Sequence, residues 1–317
     1  MISPRHLRPE ASVSPVKTAS SPLFLAATDA ACPLCKQNCA DPILRHLRGT
    51  IASVRRCRSC GLQFLVPQPD GETLRQMYAA RYFDSWAMYS GDRPEIAAMK
   101  EDTFTRHLKH LTQLVSPGAI LDVGTATGFF LHAARRFGFD PYGIELSDYA
   151  AQIAIAKFGA ERIHHGTIET CSFPYDSFTA ITMFDLLEHV PDPLGALRKA
   201  HDLLRRGGVV AIVTPNTGSV TRRLMRSSWP HYKLEHLSYW NPSTLCCAAT
   251  KAGFSVERIV PAVKIMAARY MRAQLAVYPN TLLGPITALL ARWQRTAHAR
   301  FPLRMGEMTA YLRKRTG

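Results

Sequence analysis

The sequence predicts an α/β fold built on a doubly wound, mostly parallel β-sheet whose last strand is antiparallel. Two observations support this prediction. Short runs rich in Val and Ile alternate with helical stretches from residue 119 to residue 252, which is typical of a parallel sheet covered by helices on both faces. The runs "ERIVPA" and "GEMTAYLRKR" come after the alternation and are expected to pair as the last antiparallel strands.

The alternation begins with a strand at 119–124 and a helix at 128–137, preceded by a helical stretch at 95–115. In sheets of this kind a ligand binds across the carboxyl ends of the first strands, so we expect functional residues there. Pro242 stands at the first position of the last helix of the series, a position that proline favours. The remaining predicted strands are 141–145, 162–165, 179–184 and 208–213, and the remaining helices are 148–158, 193–205 and 242–252.

A chain of 317 residues can bury a large core, and we expect one main domain with smaller additions. The composition divides the chain into five segments. They are a disordered tail at 1–28, a cysteine-bearing module at 29–70, a helical linker with substrate-side helices at 71–116, a main domain at 117–261 and 304–317, and a basic amphipathic insertion at 262–303.

The net charge of +15 lies at the two ends of the chain. Residues 1–60 carry nine Lys and Arg against three acids, residues 262–317 carry ten against one, and residues 61–261 carry twenty of each. A nucleic-acid enzyme usually carries basic residues around its site as well. The distribution therefore favours a membrane surface, an acidic partner or an anionic substrate group over nucleic acid.

Two Cys-x-x-Cys pairs, "CPLC" at 32–35 and "CRSC" at 57–60, are separated by 21 residues. Two thiolates from each tight turn can meet at a tetrahedral Zn²⁺, and four sulfur ligands leave no position for water. We therefore predict a structural zinc in a small ribbon-like module that could not fold without the ion. Four free or disulfide-bonded cysteines are the alternative, and Cys39 is an alternative ligand. The predicted ligands are Cys32, Cys35, Cys57 and Cys60.

The loop "DVGTATG" after the first strand is suited to a nucleotide-like ligand. A dinucleotide needs G-x-G-x-x-G, but Ala126 stands at the second glycine and the third is absent. Asp122 would also point a carboxylate at the two phosphate charges of a dinucleotide. S-adenosylmethionine has no phosphate and carries an ammonium and a sulfonium, which an acidic residue attracts. We predict that this cofactor contacts Asp122, Gly124, Thr125, Ala126 and Gly128.

The second strand ends at Glu145 of "YGIELS", about 20 residues past the glycine loop. A carboxylate at that place can accept hydrogen bonds from both ribose hydroxyls. NAD enzymes use the same device, so Asp122 discriminates between the two ligands and Glu145 does not. Leu146, which follows Glu145, is included among the predicted cofactor contacts. The alternative for the two acids is a helix cap and a surface carboxylate.

With these motifs, residues 30–261 resemble the class I S-adenosylmethionine-dependent methyltransferases, which have a Rossmann-like fold, and especially a bacterial group with an N-terminal zinc-binding module. The resemblance implies that Thr167, Ile168 and Glu169 pack on adenine, and that Phe184 and Asp185 lie along the methionine side of the cofactor. It rests on "CPLC…CRSCGLQFLVPQP", "LDVGTATG", "YGIELS", "FDLLEHVPDP", "LRRGGVVAIVTPN" and "EHLSYWNPSTLCCAATKAGF".

Two clusters are candidates for the reaction itself. The first is "DLLEHV", in which Asp185, Glu188 and His189 can face one way on a helical turn. It resembles a run that binds a divalent metal in quinone-pathway O-methyltransferases, and Mg²⁺ there would polarise an acceptor hydroxyl. The alternative is a structural role ahead of "PDP", although His189 is kept as a catalytic candidate.

The second cluster is "WPHYKLEHLSYWNP", residues 229–242, which is dense in Trp, Tyr and His. It resembles sugar-nucleotide C-methyltransferases in which a histidine beside a glutamate acts as base. By that resemblance His236 is the base and Glu235 its neighbour, with His231 and Tyr232 as second choices. An imidazole that titrates near neutral pH suits this work. A structural role for His236 at the start of the next helix is the alternative.

The insertion at 262–303 contains apolar helical stretches with arginines at intervals. It is expected to form a lid or a dimer contact, or alternatively to lie on an anionic membrane surface. No apolar run approaches the ~20 residues that cross a bilayer, and no signal-peptide core is present. These features predict a cytoplasmic protein with peripheral membrane contact as an alternative.

The motifs together predict a methyltransferase that acts on a sugar nucleotide, a glycan- or lipid-linked intermediate, or another natural-product precursor. One rival is an RNA-binding or RNA-modifying protein, but "FDLLEH" lacks the Asn-Pro-Pro-Tyr type of element that holds a flipped base. The two remaining rivals are a quinone-type O-methyltransferase with Mg²⁺ and a regulator that only binds the cofactor.

Overall fold

The computed structural model describes residues 31–47, 50–77, 94–267 and 300–315. The predicted tail at 1–28 lies outside the described residues, as do residues 268–299 of the predicted insertion. Within the described ranges, no helix combines the length and the apolar character that a membrane-spanning segment needs.

The described elements follow the predicted alternation closely. The strands are β1 (Ala40–Leu44), β2 (Ser53–Cys57), β3 (Gln63–Val66), β4 (Ala119–Val123), β5 (Asp140–Glu145), β6 (Ile163–His165), β7 (Phe178–Phe184), β8 (Leu204–Pro215), β9 (Ser238–Tyr239), β10 (Phe254–Pro261), β11 (Lys264–Ala267), β12 (Arg300–Leu303) and β13 (Glu307–Lys314). The α-helices are α1 (Gly71–Met77), α2 (Pro94–Leu114), α3 (Phe129–Arg136), α4 (Asp148–Phe158), α5 (Pro193–Leu203), α6 (Val220–Met225) and α7 (Pro242–Lys251).

A seven-stranded sheet in the order β10-β13-β8-β7-β4-β5-β6 confirms the predicted α/β fold. The pairs from β8 to β6 are parallel. Strand β13 inserts between β8 and β10 and is antiparallel to both, as predicted for the end of the sheet. The carboxyl ends of β4, β5 and β7 therefore share one edge, which is where the predicted cofactor residues lie.

The two faces of the sheet bury alternate residues of each strand, as the pleat requires. In β4, Ile120 packs against α2 and α3 through Leu108 and Phe130. Its neighbour Leu121 belongs to the opposite face, where Leu197 of α5 completes the packing. Helices on both faces explain why the central strands β4 and β7 are mostly apolar.

A second sheet, in the order β1-β2-β3-β9, contains the cysteine-bearing module. Its fourth strand does not come from the module: β9 belongs to the aromatic segment 229–242, and Gln63 pairs with Tyr239. The module also shares the main core, since Cys32 and Phe64 pack in the same cluster as Trp240. The module and the aromatic segment are therefore one packing unit, which the sequence did not predict.

The two ends of the predicted insertion form the short antiparallel strands β11 and β12, in which Lys264 pairs with Leu303. The predicted helical character of the insertion falls on residues 268–299, outside the described part of the chain. Other differences from the predicted boundaries are small. Strand β8 is longer than predicted because β7 pairs with it from Leu204 and β13 pairs with it as far as Pro215.

Candidate functional site

The loop between β4 and α3 is shaped by three residues with left-handed backbone conformation. Gly124, Ala126 and Gly128 have φ angles of 79°, 51° and 86°. A Cβ atom on Gly128 would lie 2.4 Å from the Phe158 ring, and one on Gly124 would lie 3.0 Å from Leu186 Cδ1. The glycines are thus required by close packing as well as by conformation. Ala126 adopts the same conformation with a side chain, at a cost of roughly 1–2 kcal/mol.

Glu145 stabilises this loop through hydrogen bonds to backbone amides. Its carboxylate accepts a hydrogen bond from the Ala126 amide at 2.7 Å and another from the Ser147 amide at 2.9 Å. Burial raises the pKa of Glu145, although the amide donors act in the opposite direction. The sequence predicted a ribose contact for Glu145 but not this link to the loop, because backbone donors leave no signal in the residue pattern.

Asp122 lies under the same loop and is only 4% exposed. Its Oδ1 atom accepts a hydrogen bond from the Thr182 hydroxyl at 2.6 Å, across the β4–β7 pair. Burial raises the pKa of Asp122 to about 7, with a further contribution from the charge of Glu145. The two acids therefore lie close enough to repel each other, and a positively charged ligand at this edge would relieve that repulsion.

The other predicted cofactor contacts lie at the same edge but differ in exposure. Thr125 is buried in the loop, and Ile168 is buried in the main core rather than presented at a surface. Thr167 opens a turn in which its amide donates to the Thr170 hydroxyl. Leu146 is half-buried and accepts a hydrogen bond from His165 through its carbonyl. Glu169 is exposed in the turn that Thr167 opens.

Phe184, at the end of β7, is part of an aromatic group that ties α2 to the sheet edge. Its ring lies 4.7 Å from the His107 ring and 5.4 Å from the Phe130 ring. Phe104 stacks on it at 6.2 Å. Helix α2 therefore covers the glycine-loop side of the sheet edge.

The two clusters that the sequence treated as separate candidates meet in the structure. After β7, residues Leu187–His189 form a 3-10 turn. His189 Nδ1 donates to the carbonyl oxygen of Glu235 at 2.8 Å, and the His189 and His236 rings lie 4.7 Å apart, edge to face. Leu237 donates its amide to the Glu188 carbonyl at 2.7 Å. "LEH" and "EHL" therefore form one site.

Glu188 is a buried acid within this site. It is 1% exposed, and its Oε2 atom accepts a hydrogen bond from the Thr214 hydroxyl at 2.8 Å. Burial raises the pKa of Glu188 to about 8, and the charge of Asp185 adds to the effect. One carboxylate oxygen of Glu188 and one ring nitrogen each of His189 and His236 lie within 4.8 Å of one another.

His236 is buried, and its Nδ1 atom has no hydrogen-bond partner among the described residues. Burial and then the neighbouring His189 hold its pKa well below the ordinary 6.5. The ring is therefore neutral at physiological pH and, contrary to the sequence-based expectation for a base, does not titrate near neutral pH. Its chemistry is that of an acceptor or a ligand. Glu235 contributes its carbonyl oxygen to His189, while its side chain lies 3.8 Å from Lys233 Nζ.

His231 and Tyr232, the second-choice candidates for the base, lie in different environments. His231 stacks on the His236 ring at 6.2 Å and lies 3.3 Å, through Nε2, from the carbonyl oxygen of Met305. It is thus part of the wall of the site. Tyr232 is fully buried between the module and the aromatic segment, where its hydroxyl donates to Gln63. Its position is structural.

Asp185 has a partner that the sequence did not reveal. Lys264 Nζ lies 2.9 Å from Asp185 Oδ2 and 2.6 Å from Glu307 Oε1. Burial raises the pKa of Asp185, but the Lys264 ammonium and its hydrogen bond outweigh burial and the net pKa is lowered. The predicted trio of Asp185, Glu188 and His189 is therefore divided: the structure brings His236 to Glu188 and His189, while Lys264 engages Asp185.

The sheet edge that carries the predicted cofactor residues is adjacent to the site formed by Glu188, His189 and His236. Leu186 packs on Gly124 of the glycine loop, and the turn that carries Glu188 and His189 follows it directly. A molecule bound at the loop would thus lie next to the two histidines. Proximity of this kind is what a group-transfer reaction between two bound molecules requires.

The four predicted metal cysteines converge on one another. Cys32 and Cys60 have their sulfurs 3.5 Å apart, as do Cys35 and Cys57. All four sulfurs lie within 4.8 Å of one another, and none is in a disulfide. Cys39 lies apart from the cluster, with its sulfur 3.2 Å from the Ser59 hydroxyl. The arrangement could hold a four-coordinate metal ion.

The seven-stranded sheet, the glycine loop after its first strand and the acid at the end of the second are the features of class I methyltransferases. They define the class of protein to which the chain belongs. Residues 97–259, just over half of the chain, match the family described as "Methyltransferase domain". The chain belongs to this family, which confirms the predicted resemblance.

Curated relatives match shorter segments. The ubiquinone biosynthesis O-methyltransferase of Nitrosospira multiformis is 24% identical over 165 residues, which are 44% of this chain and 64% of that protein. The protein of the same description from Xanthomonas campestris pv. campestris is 31% identical over 106 residues, 32% of this chain and 44% of that protein. The chain thus spans less than two thirds of the length of these relatives.

Among solved structures, the magnesium protoporphyrin IX methyltransferase of Synechocystis PCC 6803, with bound SAH, has a TM-score of 0.50 at 14% identity. The match covers 77% of this chain and 100% of that protein. At this level of identity the likeness concerns the fold alone.

Proposed function

We propose that the protein transfers the methyl group of S-adenosylmethionine to a small-molecule acceptor held beside His189 and His236. The acceptor is a sugar nucleotide, a glycan- or lipid-linked intermediate, or another natural-product precursor. One observation carries the proposal: the 3-10 turn after β7 and the aromatic segment meet next to the glycine loop, where the buried, neutral ring of His236 packs against His189.

The glycine loop and the two acids fit the cofactor. The left-handed residues Gly124, Ala126 and Gly128 shape the loop, and close packing on Leu186 and Phe158 fixes the two glycines in place. Asp122 and Glu145 raise each other's affinity for a positive charge, and the cofactor carries an ammonium and a sulfonium. S-adenosylmethionine would supply a methyl carbon that is already activated by its sulfonium.

The residues of the site would then orient the acceptor and take its proton. An electron pair on the acceptor oxygen or carbon forms the bond to the methyl carbon, while the carbon–sulfur bond breaks and its pair stays on sulfur. The acceptor proton passes to Nδ1 of His236, which has no other partner among the described residues. His189, fixed by the Glu235 carbonyl, holds the His236 ring in place.

The experiment separates cofactor binding from proton transfer. Binding of S-adenosylmethionine and its demethylated product is measured by calorimetry, and transfer is followed by mass spectrometry with a trideuteromethyl cofactor and a small-molecule extract of bacterial cells. His236→Gln should bind the cofactor normally and lose about 100-fold or more in transfer. The exposed His132 supplies the control, His132→Gln, which should match the wild type.

Two outcomes would count against the proposal at different points. Absence of heat with both cofactor forms would overturn the function. Normal cofactor binding together with full transfer by His236→Gln would leave the function in place and remove the proposed base.

A metal-assisted, quinone-type O-methyltransferase is the second candidate, and the convergence of Glu188, His189 and His236 favours it. Two imidazoles and one carboxylate suit Zn²⁺, Mn²⁺ or Fe²⁺ better than Mg²⁺. A metal held there would polarise an acceptor hydroxyl, and His236 would be a ligand rather than a base. The ligand set differs from the predicted Mg²⁺ set because Lys264 engages Asp185.

Calorimetry with Mn²⁺, Zn²⁺ and Mg²⁺ separates the two candidates. Metal-assisted transfer requires Mn²⁺ binding that Glu188→Gln abolishes, and catechol methylation that is lost in the same variant while its midpoint of thermal unfolding is unchanged. Transfer that persists in a chelator, without metal binding at this site, supports His236 as the base.

We further propose that the four module cysteines bind a structural Zn²⁺. Their paired sulfurs are 3.5 Å apart, well beyond the ~2.05 Å of a disulfide. Two sulfur ligands at ~2.3 Å from one ion can be separated by such a distance.

We also propose peripheral membrane contact through residues 262–303. Lack of binding to anionic liposomes at low salt would exclude this contact.

A further inference from the structure

We propose that helix α6 and the facing sheet surface of the cysteine module form a docking site for the phosphate headgroups of an anionic lipid surface. A cleft of about 380 Å³ separates these two parts of the chain. Arg56 of β2 lines one side, and Arg222 and Arg223 of α6 line the other. The proposal does not depend on methyl transfer.

The described side chains that line the cleft include three arginines and no carboxylate that would neutralise them. Within the described ranges, none of Arg56, Arg222 and Arg223 forms an ion pair. Asp41, which lies opposite Arg56 in the β1–β2 pair, is engaged by Arg58 at 3.3 Å. Three guanidinium groups around one cleft attract an anion, and guanidinium geometry matches phosphate oxygens.

The cleft is preorganised as well as charged. Arg222 donates through Nε to the Tyr232 hydroxyl at 3.3 Å, and that hydroxyl donates to Gln63 at 3.0 Å. Tyr232 is fully buried, so the arginine is anchored to the core. Asn241 uses its carbonyl oxygen to cap α7, and its amide NH₂ group is a donor suited to phosphate.

An exposed apolar pair on α6 indicates where the phosphate comes from. Val220 and Leu224 are 69% and 77% exposed, and residues four apart share one face of a helix. Binding of a soluble phosphate ester does not require these exposed apolar side chains. At 3.6 residues per turn, Arg223 adjoins the face of α6 that carries Val220 and Leu224. A membrane surface would therefore take the apolar pair into its interface and place Arg223 at the headgroups.

The test is co-sedimentation of the full chain with phosphatidylglycerol vesicles and with phosphatidylcholine vesicles at low salt. Arg56→Gln combined with Arg223→Gln should weaken binding to the anionic vesicles about 30-fold, since each arginine contributes roughly fivefold near such a surface. Val220→Ser combined with Leu224→Ser should weaken it at least about tenfold. The control is Arg205→Gln with Arg206→Gln, an equal charge change at the far end of β8, which should change binding less than about threefold.

Inorganic diphosphate and a nucleoside diphosphate serve as the soluble arm, measured by calorimetry. Anionic-vesicle binding that both cleft and apolar variants lose supports the proposal. Equal binding by the cleft variant and the wild type would overturn it, because the insertion at 262–303 is intact in both. The soluble diphosphates could instead bind tightly, with an affinity that the apolar variant does not change. That result would overturn the proposal that the phosphate belongs to a lipid, and would indicate a site for soluble phosphate compounds.

Discussion

Asp122 shows at the scale of a single residue how a buried acid can couple ligand binding to pH. Its pKa of about 7 lies above the ordinary 3.8, so the folded chain holds this proton more tightly than the unfolded chain. Asp122 therefore lowers the free energy of unfolding progressively as pH rises from about 4 to about 7, and the loss persists above pH 7. A cationic ligand favours the charged form and should bind more tightly at pH 8 than at pH 6.

We predict that Asp122→Asn will weaken the binding of S-adenosylmethionine and flatten this pH dependence. The asparagine carbonyl can still accept the Thr182 hydrogen bond, but it does not titrate. Urea unfolding at pH 5 and pH 8 should show the difference in stability moving in favour of the variant by about 1 kcal/mol or more. A difference that moves towards the wild type as pH rises would contradict the raised pKa.

Gly128 is required for its close approach to Phe158. Gly128→Ala should cost about 2–4 kcal/mol of folding stability, because the left-handed backbone and the clash at 2.4 Å act together. Gly207 is the matched control: its φ is 73°, but nothing lies within 4 Å of the added Cβ. Gly207→Ala should cost roughly 1–2 kcal/mol. Thermal unfolding measures both, and equal losses would show that packing at Phe158 is not limiting.

The pairing of strands brings together residues that no local pattern connects. Lys264 at the start of β11 reaches Glu307 at the start of β13, and the Glu307 side chain is only 4% exposed. This contact exists because β13 lies between β8 and β10. The antiparallel end of the sheet was predictable from its apolar runs, but the charge pair that it creates was not.

Lys264→Met should destabilise the protein by about 3 kcal/mol, because Glu307 would remain buried without its partner. Adding Glu307→Gln should recover part of that loss, since the uncompensated charge is removed. Denaturant unfolding of both single variants and the double variant measures the coupling. The more exposed pair of Arg313 and Glu257 is the control, and Glu257→Gln should cost less than about 1 kcal/mol. Additive losses at Lys264 and Glu307 would contradict the coupling.

Local patterns identified each part of the candidate site but not their assembly. The glycine loop, Glu145, His189 and His236 were all recognised from motifs, since each motif has its own spacing. That His189 and His236 form one site was missed, because the contact joins segments 46 residues apart through the Glu235 carbonyl. Backbone acceptors and long-range ring contacts leave no trace in residue identity.

For the whole molecule, the division into module and main domain is less sharp than the sequence suggests. The cysteine cluster packs in the same core as Phe64 and Trp240. Composition predicts a separate zinc module because the two Cys-x-x-Cys pairs are local in sequence. Packing with the main domain depends on shape, which composition does not contain.

Removal of the proposed zinc should therefore destabilise the entire described fold in one transition. Chelation, or Cys35→Ser with Cys60→Ser, should lower the midpoint of thermal unfolding by several degrees. Calorimetry should show one peak rather than two. Cys246→Ser, outside the cluster, is the control and should leave the midpoint within about 2 °C. A small early peak with an unchanged main peak would show an independent module.

Strand β9 has a practical consequence for protein engineering. A chimaera made by exchanging residues 29–70 for the equivalent part of another enzyme would carry three strands and leave the fourth behind on the host. The donor's copy of the stretch around Ser238 and Tyr239 would have to be transplanted along with it, and that stretch adjoins His236. Any such swap would then alter the surroundings of the proposed base whether or not the designer intended it.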